Sequence, residues 1–482
     1  MTDSTIRFRP FLTALTLSLL AMAGAGAEVR LSNLFGDHMV LQQGRPIRIW
    51  GWADPGEEVS VTLGGKSGRT TAGKEGKWRV DLEAMDGGKK KHTLTVKGKN
   101  TIKVKDVLLG EVWICSGQSN MEWSVKQSMN PAEEIAAADH PQIRLFNVPG
   151  RVQDAKPQDE ARGEWQVCSP QTIPGFSAVG YYFGRELQKA LDVPIGLVGT
   201  NWGGTRIEPW TPPVGFEQVP VLKDYVESIA SGNPKPKGGA TRIYNGMVAA
   251  LTPLSVRGAI WYQGESNAKD GLRYEYLKEA LVKGWRTVFE NDDLSFYWVQ
   301  LANFKKPTDD PAGGDWGPVR EGQRRALRLP RTGMAVTIDV GQDNDIHPRN
   351  KQDVGKRLAR WALAKDYGKD LVVSGPLYKS MEKDGNKIRI HFEHVGSGLM
   401  TGRKEGLAPV EETTGQDLER FAIQDAAGTW HWANARIDGE TVLVWHDDVK
   451  DPQNVRFGYE SNPVGINLYN KEGLPASPFT TD

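Results

Sequence analysis

The sequence predicts an α/β protein: a central domain on a mainly parallel sheet, with one β-rich domain before it and another after it. Three observations carry this. Apolar runs alternate with helical patterns through the middle of the chain. Those runs are apolar on both faces, as strands of a parallel sheet covered by helices must be. On either side the text changes to short β-type runs with Gly-marked turns. At 482 residues the chain also exceeds the usual size of one domain.

Taken in order, residues 1–27 read as a secretory signal: Arg7 and Arg9, the apolar stretch FLTALTLSLLAMAGAG, and an Ala25-Gly26-Ala27 cleavage pattern before Glu28. An uncleaved anchor is the alternative, although the run is short for a membrane span. The expectation is a soluble secreted or periplasmic protein. Residues 28–105 follow as a small antiparallel, sandwich-like β domain, in which PIRIWGWAD, EVSVTLGG, KWRVDLEAM and KHTLTVKG are separated by Gly, Asp and Lys turns. In residues 106–367 the strand-like runs EVWIC, IRLFNV, IGLVGTNWGG, GAIWYQGE, SFYWVQLAN and GMAVTIDVG alternate with helical patterns such as SAVGYYFGRELQKAL and YEYLKEALVKGWRTVF. Residues 368–482 return to β rhythm in NKIRIHFEH and NVRFGYES, a second β-rich domain.

Lys plus Arg and Asp plus Glu both number 60, so no net field recruits nucleic acid or an anionic membrane, and neither is expected as a partner. The 16 Trp suit stacking on sugar rings, or buried sandwich cores. Cys115 and Cys168 permit one disulfide or two buried thiols. No Cys pair or HExxH-like spacing points to a metal, and no cofactor is expected.

Sites in parallel α/β sheets collect at the carboxyl ends of strands. Four strand ends here carry polar, Gly-rich loops: Ser116 to Asn120, Trp202 to Arg206, Gly264 to Asn267, and QDNDIHPRNK with His347. Of the eight His, only His140 and His347 fall in the α/β part. His140 reads as a helix-end residue before Pro141. His347 precedes a helix with an apolar face of Val354, Leu358 and Trp361, and is the candidate general base. Ser119 would need such a base, because a hydroxyl is a poor nucleophile at neutral pH, and it would need donors for an oxyanion. The Gly203-Gly204 turn offers N–H groups; Gln263 or Asn267 offers an amide. Met121 two places after Ser119 excludes the α/β-hydrolase elbow.

GQSNMEW, GTNWGGTRIEPW, WYQGESNA and NDIHPRNK, in that order, resemble the motif blocks of the SGNH (GDSL-type) esterases, specifically the sialate O-acetylesterase family and relatives that deacetylate plant polysaccharides. The likeness extends to LFGDHMVLQQ and GEWQVCSP. It implies a flavodoxin-like three-layer SGNH hydrolase domain, Ser119 as nucleophile, His347 as base, and oxyanion donors from Ser119 N–H, the Gly203-Gly204 turn (Gly204) and the QGESN block (Gln263, Asn267). The family's aspartate three places before the histidine is Asn344 here, leaving Asp345, Asn344 or a main-chain carbonyl to orient the imidazole, with Asp345 favoured. The Asn expected two places after the Gly of the third block is Ser266. Trp123, Trp202, Trp210 and Trp261 flank the blocks and would wall an acetylated sugar; Arg206 would pair with a sugar carboxylate or with Glu208 or Glu122. The expected function is removal of O-acetyl groups from a carbohydrate. The alternatives are a non-catalytic carbohydrate-binding protein, or a glycoside hydrolase using Glu122, Glu208 or Glu265.

Overall fold

The computed structural model describes Met1 and residues 28–482, so the expected signal segment lies, Met1 apart, outside the described residues. Among the described residues no helix is long and apolar enough to cross a membrane.

The architecture is organised by one long strand, β1 (Thr101–Gly117). Its first part alternates exposed and buried residues and pairs antiparallel with Gly88–Lys97, setting Val96 against Ile102 and Leu94 against Val104. Its last part is buried at every position and joins the central sheet. Asp106 marks the change: its backbone is left-handed (φ 53°), a conformation Asp tolerates, and its carboxylate accepts from Arg144 at 2.9 Å. The rest of the sheet comprises β2 (His140–Asn147), β3 (Trp165–Cys168), β4 (Ile195–Asn201), β5 (Gly258–Tyr262), β6 (Ser295–Val299) and β7 (Thr332–Ala335), in the spatial order β3-β2-β4-β1-β5-β6-β7. Only β3 runs antiparallel to its neighbour. Without the edge pair β2 and β3, the five remaining strands stand in the order second-first-third-fourth-fifth. The chain leaves β1 to one side for β4 and to the other for β5, and that reversal opens a crevice at the carboxyl end of β1.

The strands are two-faced apolar because helices cover both faces: α2 (Ala178–Leu191) and α5 (Lys351–Lys365) on one, α3 (Tyr274–Val288) on the other, with α4 (Gly317–Arg325) beside α3. Residues paired in a parallel ladder point the same way. Trp113, Cys115 and Tyr297 share one face, where Phe183 of α2 meets Trp113 edge-on at 5.0 Å. Trp261, Phe296 and Trp298 share the other, where Trp285 of α3 packs on Trp261 and Phe296. Helix starts follow local capping: Ser177 Oγ accepts from Gly180 N–H at 3.1 Å, and Asn350 Oδ1 from Asp353 N–H at 3.0 Å. His140 opens strand β2 rather than ending a helix, since it stands opposite Cys168 in the edge ladder. Cys115 and Cys168 are free, buried thiols.

One apolar core runs from Val29 to Leu377, while the strands after it enclose a second around Ile390, Phe421, Val442 and Phe479. The C-terminal part is tied to the centre by Arg320 of α4, fully buried, which donates to the carbonyls of Leu301 (2.9 Å), Ala302 (2.7 Å), Glu460 (2.7 Å) and Ser461 (2.8 Å).

Gly117 closes β1 with φ 142°, and a Cβ there would lie 2.1 Å from the Tyr262 carbonyl oxygen. Gly117→Ala should therefore cost about 1–3 kcal/mol in backbone strain alone, seen as a lower Tm in a thermal melt. An unchanged Tm would show that the strand ends can part freely.

Candidate active site

After Gly117 the chain turns sharply out of the sheet. Gln118 N–H donates to Tyr262 O at 2.9 Å, and Gln118 O accepts from the N–H groups of Met121 and Glu122, also at 2.9 Å, which starts α1 (Ser119–Glu122). Ser119 is its first residue, half-buried. The loop after β4 is held to the same place, with Trp202 N–H on Gly117 O at 3.0 Å and Gly203 N–H on Glu122 Oε2 at 2.7 Å. A Cβ on Gly203 would lie 2.8 Å from Glu122 Oε2 and 3.2 Å from Ser119 Cβ, so a side chain here would displace the Glu122 carboxylate and crowd the serine. Gly204 has φ 76°, and its N–H meets no acceptor among the described residues.

The loop after β7 reaches the serine turn from the other side. The Asn120 amide donates to Ile346 O at 3.0 Å, and the His347 ring stacks on Trp123 with centroids 4.5 Å apart and planes 13° apart. The residue after Ser119 thus holds the residue before His347. Asp345 Oδ1 accepts the His347 backbone N–H at 2.9 Å and lies 3.5 Å from its Nδ1. Asn344 is exposed and its side chain makes no hydrogen bond among the described residues. Burial, and then the charge of Lys351, hold the His347 imidazole below its ordinary pKa, with Asp345 pulling the other way. No hydrogen bond joins the Ser119 hydroxyl to His347; such contacts often tighten only when substrate is bound.

Beneath this pair lies a buried polar cluster that sequence reasoning passed over, although its members stand inside the quoted motif blocks. Asn120 donates to Glu265 Oε1 at 2.6 Å and accepts from Lys351 Nζ. The only sequence signal was position: one residue after Ser119, two after Gln263, and four after His347.

Other expectations are corrected by the geometry. Gln263 is fully buried and its amide donates to Thr205 O (3.1 Å) and Asn267 Oδ1 (2.6 Å). Asn267 donates to Glu208 Oε2 (3.0 Å) and Asp270 Oδ2 (2.7 Å). Both amides are spent on protein acceptors, so neither has an N–H left for an oxyanion. Trp261 is fully buried between Trp210 and Trp285, a core residue rather than a wall for substrate. Trp123 and Trp202 are half-buried and stay at the mouth of the site. Arg206 is committed to Glu208 (2.7 Å), Asp270 (2.6 Å) and Ser266 O (3.1 Å), the internal ion pair and not a free cation. This network also occupies Glu208, while Glu122 is held by Gly203 N–H and Arg151 (3.0 Å).

Residues 109–364 match the family model described as a carbohydrate esterase, sialic acid-specific acetylesterase. The chain is 32% identical to human sialate O-acetylesterase over 412 residues, covering 76% of this chain and 77% of that protein. It is 32% identical to the mouse sialate O-acetylesterase over 424 residues, covering 74% and 77%. The crystal structure of a carbohydrate acetylesterase from Xanthomonas citri superposes with a TM-score of 0.84 at 38% identity, covering 94% of this chain and 99% of the other. A serine turn, a glycine loop packed on it and a histidine loop bound to its flank are thus found in a chain whose relatives are acetylesterases along most of their length, and the protein belongs to the sialic acid-specific acetylesterase family of carbohydrate esterases.

Proposed function

We propose that this carbohydrate O-acetylesterase works through an acetyl-serine intermediate on Ser119, with His347 as general base and Asp345 as its orienting acid. The observation that carries this is the double clasp of the serine turn on the histidine loop, Asn120 to Ile346 O and Trp123 to the His347 ring. Ser119 Oγ attacks the acetyl carbonyl as His347 takes its proton. The oxyanion is met by Ser119 N–H, unpaired at the first position of α1, and Gly204 N–H. The intermediate expels the sugar hydroxyl, which recovers the proton from His347. A water activated by the same ring then attacks the acetyl-serine, releasing acetate and Ser119 Oγ–H.

The strand order supports reading residues 106–367 as a flavodoxin-like, three-layer SGNH domain, with residues 28–105 and 368–482 as sandwich-like flanking domains. The signal-like first 27 residues support export to the periplasm or exterior. The substrate is an O-acetylated carbohydrate, sialate or plant polysaccharide, walled by Trp123 and Trp202. If it is sialate, its carboxylate must find a cation other than the committed Arg206.

Ser119→Ala should lower acetate release by about 10³-fold or more with the fold retained; activity within tenfold of the parent would remove Ser119 from the reaction. Asp345→Asn should cost far more than Asn344→Ala, toward the roughly 10⁴-fold seen when a triad acid becomes its amide. Equal, mild losses would hand the orienting role to a main-chain carbonyl. The base form of His347 is the active one and its pKa is lowered, so activity should be lost as pH falls through a value below about 6.5. An acid limb of kcat/KM above pH 7 would contradict this.

A further inference from the structure

Lys351 sits where a lysine has little reason to be. It is fully buried, and it is the first residue of α5, where the helix dipole disfavours a cation. Its ammonium contacts Asn120 Oδ1 and lies over the faces of Tyr262 (5.2 Å) and Trp123 (6.0 Å). Across Asn120 stands Glu265, whose Oε1 accepts from the amide at 2.6 Å and whose buried Oε2 has no hydrogen-bond partner among the described residues. Asn120 uses both of its amide hydrogens, on Glu265 and Ile346 O, and its oxygen accepts from Lys351. One side chain therefore links the loop after β1, the loop after β5 and the loop after β7. So many local rules broken around one fully buried lysine mark a functional constraint.

We infer that Lys351 is a positioning residue for deacetylation: clamped to Asn120 and facing Glu265, it locks the Ser119 turn against the His347 loop and sets a positive charge behind the imidazole while that ring titrates. This rests on the reading of Ser119 and His347 given above. The charged groups facing His347 are Asp345 on its own loop and Lys351 on α5; Trp123 on the remaining side is uncharged. Glu265 acts one step removed, on Lys351. Burial brings Lys351 down to about 7, against the pull of Glu265 and Asp345, and raises the Glu265 carboxyl, against the pull of Asn120 and Lys351; Lys351 carries its charge in the acid range where His347 titrates. Its charge there favours the neutral, proton-accepting imidazole.

The relay gives a test that packing alone cannot mimic. Removing the cation in Lys351→Met should raise the pKa of His347. Removing the anion in Glu265→Gln should do the same, because Lys351 then loses its proton; a direct effect of Glu265 on His347 would have the opposite sign. The measurement is the pH dependence of kcat and KM on para-nitrophenyl acetate for the full chain and both variants. Both should move the acid limb of kcat/KM to higher pH and lower kcat by about tenfold or more, with KM within about threefold. An unmoved limb in Lys351→Met, or a limb moved to lower pH in Glu265→Gln, overturns the inference. Glu265→Gln keeps the acceptor for Asn120 and decides alone if Lys351→Met does not fold. His347→Ala serves as the control: if it stays active, the assignment of the base fails, whereas if it is dead and the limbs do not move, only the role of Lys351 fails.

Discussion

The ladder that ends at Gly117 sets the tolerance for everything placed beyond it. Gly117 O takes the N–H of Trp202, and the next N–H, of Gln118, goes to Tyr262 O, so three strand ends are locked in register within two residues of Ser119. A slip of one residue in any of them would turn the side chains to the opposite face and carry the loops out of the crevice. Because β1 is also paired in the N-terminal sheet through Val96 and Leu94, its register is fixed at both ends of the strand that leads to Ser119. Gly203 completes the arrangement by lacking the Cβ that would crowd Glu122 Oε2 and Ser119.

Below Ser119 and His347 the protein places polar side chains where an apolar core would be simpler. Arg206, Glu208, Asn267 and Asp270 saturate one another and join the loops after β4 and β5. In a low-dielectric interior such networks are strong when complete and costly when one member is lost, so they fix a single loop geometry. The amides that look like donors for substrate in the sequence are in fact the struts of this frame.

The sequence is informative where a physical period or an ordered spacing reports on structure. Strands apolar on both faces, alternating with helices, gave a helix-covered parallel sheet, and the order of four polar loops led to the serine and histidine loops that the fold brings together. The same property hid the role of Trp261: in a strand buried on both sides, alternation does not say which face looks toward the crevice and which toward α3. Partnering is equally invisible in one dimension. Nothing near Gln263 or Arg206 announces that Thr205 O or Asp270 has already taken their hydrogens. Between Asn344 and Asp345, one exposed and one half-buried, only the path of the loop discriminates.

The junction made by Arg320 has a consequence for how the molecule comes into being. Its guanidinium binds four carbonyls, two supplied by the central part and two by residues 460 and 461, with burial lowering its pKa to about 9. During synthesis the central sheet emerges well before those last two acceptors exist, leaving a charged group with half its bonds and no reason to enter the interior. The face of α4 that carries it must stay hydrated until almost the whole chain has been made. The central layer is thus completed late, from its C-terminal side, and a chain stopped short of residue 460 would lack the acceptors that allow Arg320 to be buried.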